Sequence, residues 1–306
     1  MKVSLVLTTY NGEKYITQQL DSIYQQTLRP DEVLIFDDRS TDRTPELVNA
    51  FIRDHGLAAW HFTVNETNKG WRRNCMEGLG AASGDIVFLA DQDDVWLPRK
   101  IERMRRAMEE NSAIRLLACG YQAFYDDTLP TFEEGEYVEP VKKELYPKLF
   151  SIPSPGCTYC TRRELIEEAG AYWTEDAPHD SLLWRLALLG DALYLYPQKL
   201  IFWRKHRDSA WSLEGARNKN LANRIRWTAF AEGQIERMRS YLAQRGSSSP
   251  EKERVLAANS RWIGLRRELF QKKKAAAACR LLGYLKYYSS FRQYLGDVYL
   301  TFLKRE

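Results

Sequence analysis

The chain has 306 residues, 44% of them hydrophobic and 28% charged, which is the balance of a globular protein large enough to bury a full core. The first residues become polar too early for a signal peptide, and no apolar run is long enough to span a bilayer, so we expect a cytoplasmic protein. The net charge of +4 is unevenly spread: residues 1–214 carry 25 Lys and Arg against 34 Asp and Glu, whereas residues 215–306 carry 20 against 7.

The first 112 residues alternate between apolar runs and amphipathic helical patterns. The apolar runs predict strands buried on both faces, at residues 3–9, 32–38, 60–65 and 86–94. The amphipathic segments predict helices at residues 11–27, 40–56 and 70–82, with Ser40 or Thr41 as the N-cap of the second helix and Gly56 at its end. This order predicts βαβ units and a mostly parallel, Rossmann-like α/β sheet.

The fourth strand ends in the acidic sequence DQDD. Asp94 precedes residues 95–110, a predicted helix with Pro98 in its first turn, so it suits the N-cap of that helix. A cap needs only one carboxylate, whereas Asp91 and Asp93 add two more. Because open α/β sheets bind ligands at the carboxyl ends of their strands, this spacing predicts a divalent-metal site.

Polar groups also follow the first two strands. The first strand ends in the sequence TTYN (residues 8–11), and the second ends in Asp37 and Asp38. Either group has a simpler explanation, since Asp37 or Asp38 can cap a helix and TTYN can form a turn. Together with the acidic motif, they predict a nucleotide site in which hydroxyls and carboxylates bind a base and ribose and a metal neutralises a diphosphate.

The second half of the chain, residues 113–214, is less regular. Its patterns predict a strand at 115–125, an acidic and Pro-rich loop at 128–147, helices at 161–170 and 179–190, and paired short strands at 192–204. Cys157 and Cys160 form a CxxC sequence, which is typical of redox and zinc sites. No second ligand pair has metal spacing, and the odd, scattered cysteines suit a reducing compartment.

Three motifs resemble one known family. The segments TTYNGEKYITQQLDSIYQQT, DDRSTDRT and NKGWRRNCMEGLGAASGDIVFLADQDDVW, in this order, are similar to the family 2 glycosyltransferases, which are inverting nucleotide-sugar enzymes of the glycosyltransferase-A fold. The resemblance covers roughly residues 3–210. One departure concerns Arg39, because the family usually has Gly or Asn at this position after the paired aspartates.

The resemblance implies a role for each matching residue. Asp93 and His206 would hold the metal, Mg or Mn. The acceptor side would be formed by Gly156, Cys157, Thr158 and Trp184. The donor would be bound by Thr8, Thr9, Tyr10, Asn11, Asp37, Asp38, Lys69, Arg73, Asp91 and Gln92.

Alternatives remain open for several of these positions. Lys69 and Arg73 also fit a solvated helix face, and His206 also fits a solvated loop. The cations beside His206 would then hold the diphosphate directly; they are Arg204, Lys205 and Arg207.

An inverting transfer needs a base for the acceptor hydroxyl. Asp180, in the sequence EDAPHDSLLWRLALLG, is the residue that matches the family's second acidic motif, and Glu175 and Asp176 are the alternatives. Asp180 also suits a helix cap.

The expected function is metal-dependent, inverting transfer of a sugar from a nucleotide-diphosphate sugar to a growing, lipid-linked surface glycan. The DQDDVW form is similar to that of rhamnosyltransferase-like members, which favours dTDP-rhamnose, with a UDP-sugar second. A nucleotidyltransferase is an alternative, although it should have a Gly-rich basic loop after strand one, where TTYNGEK has a single glycine. A catalytically inactive scaffold that binds sugar nucleotides is the other.

Residues 215–306 predict a basic helical region, separate from a catalytic domain at 1–214, with a break at 247–250. The segment 275–305 fits one helix with Leu281, Leu285, Tyr288 and Phe291 on a single face. With its basic charge, this face predicts peripheral binding to an anionic membrane at the inner face of the plasma membrane. Packing on the catalytic domain or on a second subunit is the alternative, and no nucleic-acid-binding motif is present.

Overall fold

The apolar runs of the sequence form the centre of a mixed sheet. The computed structural model describes residues 1–125, 128–131, 135–206, 209 and 220–304. In these residues the strands are β1 (Val3–Thr9), β2 (Glu32–Asp37), β3 (Trp60–Val64), β4 (Ile86–Asp91), β5 (Val95–Trp96), β6 (Leu116–Tyr125), β7 (Val141–Lys142), β8 (Tyr159–Arg162) and β9 (Leu193–Lys205).

Helices connect and cover these strands. They are α1 (Ile16–Tyr24), α2 (Thr44–Asp54), α3 (Trp71–Ala81), α4 (Lys100–Glu110), α5 (Arg163–Gly170), α6 (His179–Leu189), α7 (Leu221–Gln244), α8 (Pro250–Lys272), α9 (Ala275–Leu281) and α10 (Phe291–Phe302), with short 3-10 turns at Gly156–Thr158 and Leu282–Tyr287. Among the described helices, none combines the length and apolar character that crossing a membrane requires.

The sheet order is β3-β2-β1-β4-β8-β6-β9-β5, with β7 paired to β9. Strands β1 to β4 are mutually parallel, whereas β8 runs antiparallel to β4 and β6. The predicted α/β fold with a mostly parallel sheet is therefore confirmed. Register places Thr9 opposite Asp37 and Thr8 opposite Asp91, so the polar ends of β1, β2 and β4 meet at one edge.

Two predicted elements around the acidic motif were wrong. Val95 and Trp96 form β5 against β9 instead of opening a helix, which begins only at Lys100 with Arg99 as N-cap, so Asp94 caps nothing. The predicted pair of short strands is the single strand β9. Its pairing with β6 skips two residues between Tyr196 and Lys199, so Pro197 lies in a bulge, where the missing N–H costs no ladder bond.

Two further corrections concern helix ends and the tail. Helix α2 begins at Thr44, so neither Ser40 nor Thr41 is its N-cap. The backbone N–H of Ser40 donates a hydrogen bond to Asp37 instead. The segment 275–305 is also not one helix, since it breaks at Leu282–Tyr287. Tyr288 is consequently buried while Phe291 is exposed, and the predicted common face does not exist.

Contacts divide the chain into two compact units. The first unit is Met1–Lys143 with Ser154–His206, and the second unit is Glu144–Pro153 with the described part of Arg207–Glu306. The predicted boundary after residue 214 lies outside the described residues and stays a prediction.

The second unit has a charged pair at its centre. Arg266 and Asp297 are fully buried, and the guanidinium donates to both carboxylate oxygens at 2.7 and 3.1 Å. The guanidinium carbon also lies 4.5 Å from the ring centroid of Trp227 and 4.9 Å from that of Trp262. A buried charge is tolerated only with such partners, so the pair ties α10 to α8.

We expect Asp297→Ala to lower the free energy of unfolding by about 3–5 kcal/mol, because it leaves the buried Arg266 uncompensated. The free energy of unfolding is measured by denaturant titration, with tryptophan fluorescence as the signal. The matched control is Glu232→Ala, which removes a carboxylate that pairs with Arg267 at the surface and should cost below about 1 kcal/mol. Equal, small losses in the two variants would contradict a central role for the buried pair.

Candidate active site

Asp37 closes the turn after β2. Its Oδ1 accepts hydrogen bonds from the hydroxyls of Thr9 (2.8 Å) and Ser40 (2.6 Å), and its Oδ2 accepts from the backbone N–H of Ser40 (2.7 Å). The carboxylate is fully buried. Asp37 and Thr9 therefore hold the turn beside the predicted donor site in place. Direct contact of either residue with a donor stays a prediction.

Asp38 holds the segment that leads into α3. Its Oδ1 accepts from the backbone N–H of Lys69 (2.7 Å) and the side-chain amide of Asn65 (3.1 Å), while Oδ2 accepts from the N–H of Gly70 (2.8 Å). The Asn65 amide also donates to Asn74 Oδ1 at 2.9 Å. The loop carrying Lys69 is thus fastened to the end of β2, beside the predicted base pocket.

The backbone conformation at Arg39 is strained for any residue other than Gly or Asn, the residues that the family usually has there. Arg39 has a φ of 63°, in the left-handed region that Gly and Asn tolerate best. The Arg39 guanidinium donates to the carbonyl oxygen of Glu66, a contact that Gly cannot make. Asn11 has a φ of 47° and follows the same preference, and its side-chain oxygen accepts from Thr41 N–H at 2.8 Å.

Gln92 joins the acidic motif to the end of β1. Its side-chain oxygen accepts from Tyr10 N–H (2.8 Å), and its amide nitrogen donates to the Tyr10 carbonyl (2.9 Å). Gly12 lies so close that a Cβ there would be 2.3 Å from Gln92 Oε1. Tyr10 itself is exposed and is available to a ligand.

The two predicted basic donor residues on the α3 side have carboxylate partners. Lys69 pairs with Glu77 at 2.5 Å, and Arg73 pairs with Glu175. Both pairs are solvent-accessible, and such pairs are weak enough to be exchanged for a phosphate. Glu175, an alternative base, is occupied by Arg73 in this structure.

The two predicted metal ligands, Asp93 and His206, are brought together. His206 Nε2 lies 2.6 Å from Asp93 Oδ2, and its ring lies against Tyr15 with 5.0 Å between centroids. The two residues are 113 positions apart in the chain, and they meet because Asp93 follows β4 and His206 follows β9. Arg204 Nε donates to the Asp93 carbonyl at 2.8 Å and supports the motif from behind.

Asp94 is turned into the interior. Its Oδ1 accepts from Arg204 N–H at 3.0 Å, and its Oδ2 has no hydrogen-bond partner of standard geometry among the described residues. The potential metal-ligand atoms of Asp91, Asp94 and Cys157, which are two carboxylate oxygens and a thiol sulfur, lie within 4.8 Å of one another. Burial, followed by the charges of Asp93 and Asp91, holds the pKa of Asp94 well above its usual range.

A buried lysine lies below this cluster. Lys100 is fully buried, donates to the Cys157 carbonyl at 2.6 Å and lies 3.5 Å from the ring centroid of Trp96. Its charge counteracts the repulsion within the acidic cluster, although burial lowers its own pKa. The Cys157 thiol has a pKa well above its usual range because of burial and of Asp94 and Asp91, so it is neutral.

Asp180 faces the acidic cluster across a close packing contact. A Cβ on Gly156 would be 3.1 Å from both Asp180 Cβ and His179 Nε2, so a glycine lets the 3-10 turn reach the start of α6. Asp180 lies in the first turn of α6 but is not its N-cap, which is Pro178. Its charge contributes to raising the pKa of Asp91.

The electrostatics of Asp91 indicate a site that attracts a cation. Burial raises its pKa most, the charges of Asp93 and Asp180 raise it further, and Cys157 and Lys100 oppose them, leaving a pKa of about 7. A carboxyl group that is half protonated near neutral pH is one that a cation would ionise.

The residues fit a divalent metal. Asp94 Oδ2 has no hydrogen-bond partner of standard geometry among the described residues, the carboxylates of Asp91 and Asp93 lie near it, and His206 adjoins Asp93. Carboxylate oxygens with one imidazole suit Mg²⁺ or Mn²⁺. Asp93 and His206 would hold the metal, with Asp91 beside them.

We expect Mn²⁺ affinity to fall about tenfold for each pH unit below 7, because the metal must displace the proton on Asp91. Calorimetric titration with Mn²⁺ between pH 5.5 and 8 (roughly the range around that pKa) measures it. Asp91→Asn should bind Mn²⁺ more weakly and with a flatter pH dependence. An unchanged slope in this variant would assign the titration to another group.

The predicted acceptor-side residues are mostly buried. Trp184 is fully buried and packs on Tyr159 with centroids 5.8 Å apart, and the Thr158 hydroxyl donates to the Pro155 carbonyl at 2.7 Å. Their acceptor-side role stays a prediction. Cys157 and Cys160 are buried and form no disulfide. Arg207 lies outside the described residues.

Several residues that build the site were missed by sequence reasoning. Lys100 lies buried below the acidic cluster, and Asn65, whose amide also donates to Asn74, donates to Asp38. Arg204 is one of the cations that the alternative to a metal-binding His206 assigns to the diphosphate, yet it is buried and its guanidinium donates to Gln18 and to the Asp93 carbonyl. For Lys100, one sequence signal was available: it is a basic residue on an otherwise apolar face of its helix.

Comparison with known proteins identifies the family. The profile described as "Glycosyl transferase family 2" matches residues 4–168, which is more than half of the chain. The chain therefore belongs to glycosyl transferase family 2.

Individual relatives are more distant. The chain is 31% identical over 183 residues to the uncharacterized glycosyltransferase YwdF of Bacillus subtilis, a match covering 56% of this chain and 62% of YwdF. It is 28% identical over 128 residues to glycosyltransferase GlyG of Streptococcus pneumoniae, covering 41% and 40% of the two chains. The matches thus span about half the length of these curated relatives.

Solved structures show the fold. S. aureus TarS 1-349 in complex with UDP-GlcNAc superposes with a TM-score of 0.61 at 19% identity, covering 97% of this chain and 82% of TarS 1-349. The mannosyltransferase PcManGT of Pyrobaculum calidifontis, in complex with GDP-Man and Mn²⁺, gives 0.54 at 18% identity, covering 99% and 88%. Both similarities confirm the glycosyltransferase-A type of fold.

Proposed function

We propose that this protein is a metal-dependent, inverting glycosyltransferase that moves a sugar from a nucleotide-diphosphate sugar to a growing surface glycan. The observation that carries the proposal is the meeting of three groups at one sheet edge: the Asp93–His206 pair, Asp91, and Asp180 opposite them. This arrangement supplies a cation site and a separate carboxylate, which displacement of a nucleoside diphosphate requires.

The donor is a nucleotide-diphosphate sugar bound over the ends of β1 and β2. Tyr10 is exposed there, and Asp38 fastens the loop that carries Lys69 to the end of β2. The similar structures of TarS with UDP-GlcNAc and of PcManGT with GDP-Man support this donor class. Within it, dTDP-rhamnose is our first choice because of the DQDDVW motif, and a UDP-sugar is the second.

Asp180 takes the proton of the acceptor hydroxyl. Asp180 lies in the first turn of α6, and its side chain packs against the acceptor-side turn at Gly156. The hydroxyl attacks the anomeric carbon from the side opposite to the departing diphosphate, so one displacement inverts the configuration. When bound, the metal supplies positive charge to the leaving diphosphate.

The chain's own groups also hold the site in shape. Lys100 lies below the acidic cluster, Arg204 supports Asp93 and Asp94, and Gly156 allows the acceptor-side turn to approach Asp180. The acceptor is a lipid-linked glycan at the inner face of the plasma membrane, a proposal that the basic second unit supports.

The test is release of nucleotide and transfer to a lipid-linked acceptor. The purified chain is assayed with dTDP-rhamnose and several UDP- and GDP-sugars, with Mn²⁺, Mg²⁺ or a chelator, and NMR establishes the anomeric configuration of the product. Metal-dependent turnover with inversion is expected. Donor binding without turnover on any acceptor would instead support a sugar-nucleotide-binding scaffold, and retention of configuration would contradict the mechanism.

A further inference from the structure

The second unit contains a cavity of about 330 Å³ between the start of α7 and the end of α10. Three cations line it from three separate places in the chain: Arg226 on α7, Lys273 directly after α8, and Lys304 directly after α10. Leu221 and Leu300 form its apolar wall. Among the residues that the structure describes, no acidic side chain lines this cavity.

The charge around the cavity favours an anion. Three cationic side chains around one cavity attract a negatively charged ligand to it. The cavity also lies at the first turn of the 24-residue helix α7, where backbone N–H groups and the helix dipole attract negative charge.

The helix that closes the cavity also exposes an apolar stripe. Phe291, Leu295, Tyr299 and Phe302 are between 42% and 55% exposed and, at 100° per residue, fall within about 80° of the α10 circumference. Leu303, which adjoins the cavity residue Lys304, is 69% exposed. The opposite face, with Tyr294, Asp297 and Thr301, is buried.

We propose that this surface binds an anionic lipid leaflet, with a lipid phosphate in the Arg226–Lys273–Lys304 cavity and the α10 stripe in the headgroup boundary. Charge complementarity selects this occupant, because residues 215–306 carry 20 Lys and Arg against 7 Asp and Glu. A helix with an exposed apolar face beside clustered cations has the chemistry of an interfacial membrane helix. The inference rests on the proposed function, since it names how the enzyme reaches a lipid-linked acceptor.

The test is co-sedimentation of the full chain with vesicles of phosphatidylcholine alone or of equal parts phosphatidylcholine and phosphatidylglycerol. Only the anionic vesicles should bind the protein, and high salt should weaken binding. The combined variant Arg226→Ala, Lys273→Ala, Lys304→Ala should lower the partition coefficient about 100-fold. The matched control Arg245→Ala, Arg254→Ala, Arg261→Ala makes the same change of charge away from the cavity and should retain most of the binding.

The stripe is tested with Leu295→Ser, Tyr299→Ser, Phe302→Ser, which should also lose vesicle binding and remain folded by circular dichroism. Equal losses in the cavity and control variants would overturn the site and leave only diffuse attraction. Inorganic phosphate that raises the melting temperature of a protein that ignores vesicles would assign the cavity to free phosphate and overturn the lipid proposal. A stripe variant that turns a dimer into a monomer, without vesicle binding in the parent, would identify a second copy as the occupant.

Vesicle binding is measured without a sugar donor, and release of nucleotide from the sugar donor is measured without vesicles. Failure of one therefore does not imply failure of the other.

Discussion

Asp180→Asn is expected to reduce sugar transfer by a factor of roughly 100 or more while leaving donor binding unchanged. Asparagine keeps the shape of the side chain against Gly156 but cannot accept the proton of the acceptor hydroxyl, and removal of a positioned general base has an effect of this size. Turnover with a competent acceptor and calorimetric binding of the donor measure the two parts of this expectation.

The control for Asp180→Asn is Glu175→Gln. Glu175 is exposed and pairs with Arg73, so this variant should retain turnover within a few-fold. The reverse result, normal turnover in Asp180→Asn and a large loss in Glu175→Gln, would transfer the role of base to Glu175.

Asp93→Ala is expected to weaken metal-dependent binding of a nucleoside diphosphate by more than about 100-fold, because it removes a proposed metal ligand and the partner of His206. The fold should be retained, since Asp93 lies in a turn after β4 and its removal lessens the repulsion on Asp91 and Asp94. Calorimetry of UDP or dTDP with Mn²⁺ measures the loss.

Asp176→Ala is the matched control for Asp93→Ala, because it makes the same change at an exposed aspartate that is not among the proposed metal ligands. It should bind nucleoside diphosphate and Mn²⁺ like the parent. Parent-like affinity in Asp93→Ala would contradict the metal assignment, whereas a similar loss in both variants would indicate general electrostatics.

The sequence predicted those parts of the fold whose signal is local. Continuous apolar runs at β1, β2 and β4 indicated buried parallel strands, and parallel strands must bring their polar ends to a common edge. For this reason the proximity of Thr9 to Asp37 and of Thr8 to Asp91 was predictable without coordinates.

What local patterns cannot show is which of several similar residues a distant segment will cover. Asp91, Asp93 and Asp94 are alike in sequence, yet only Asp94 is fully buried, because the backbone of Arg204 on β9 approaches it from 110 residues away. The same limit applies to Val95 and Trp96, which continue a helical pattern but pair with β9 instead.

The error in the tail has a different cause. The helical pattern through residues 275–305 predicts one face, but the chain changes direction at Leu282–Tyr287, and Tyr288 packs against Trp262. Periodicity carries no information across such a break. The exposed face is therefore the stripe on α10 and not the residues predicted.

The contact between Gly12 and Gln92 makes these two positions interdependent in evolution. The Gln92 side chain acts as an additional strand partner for Tyr10, and the space it occupies is the space that any side chain at position 12 would need. Among homologues that keep the same turn, a residue with a Cβ at position 12 should therefore occur with a shorter residue at position 92. The pair should appear as covariation between two segments 80 positions apart in the chain.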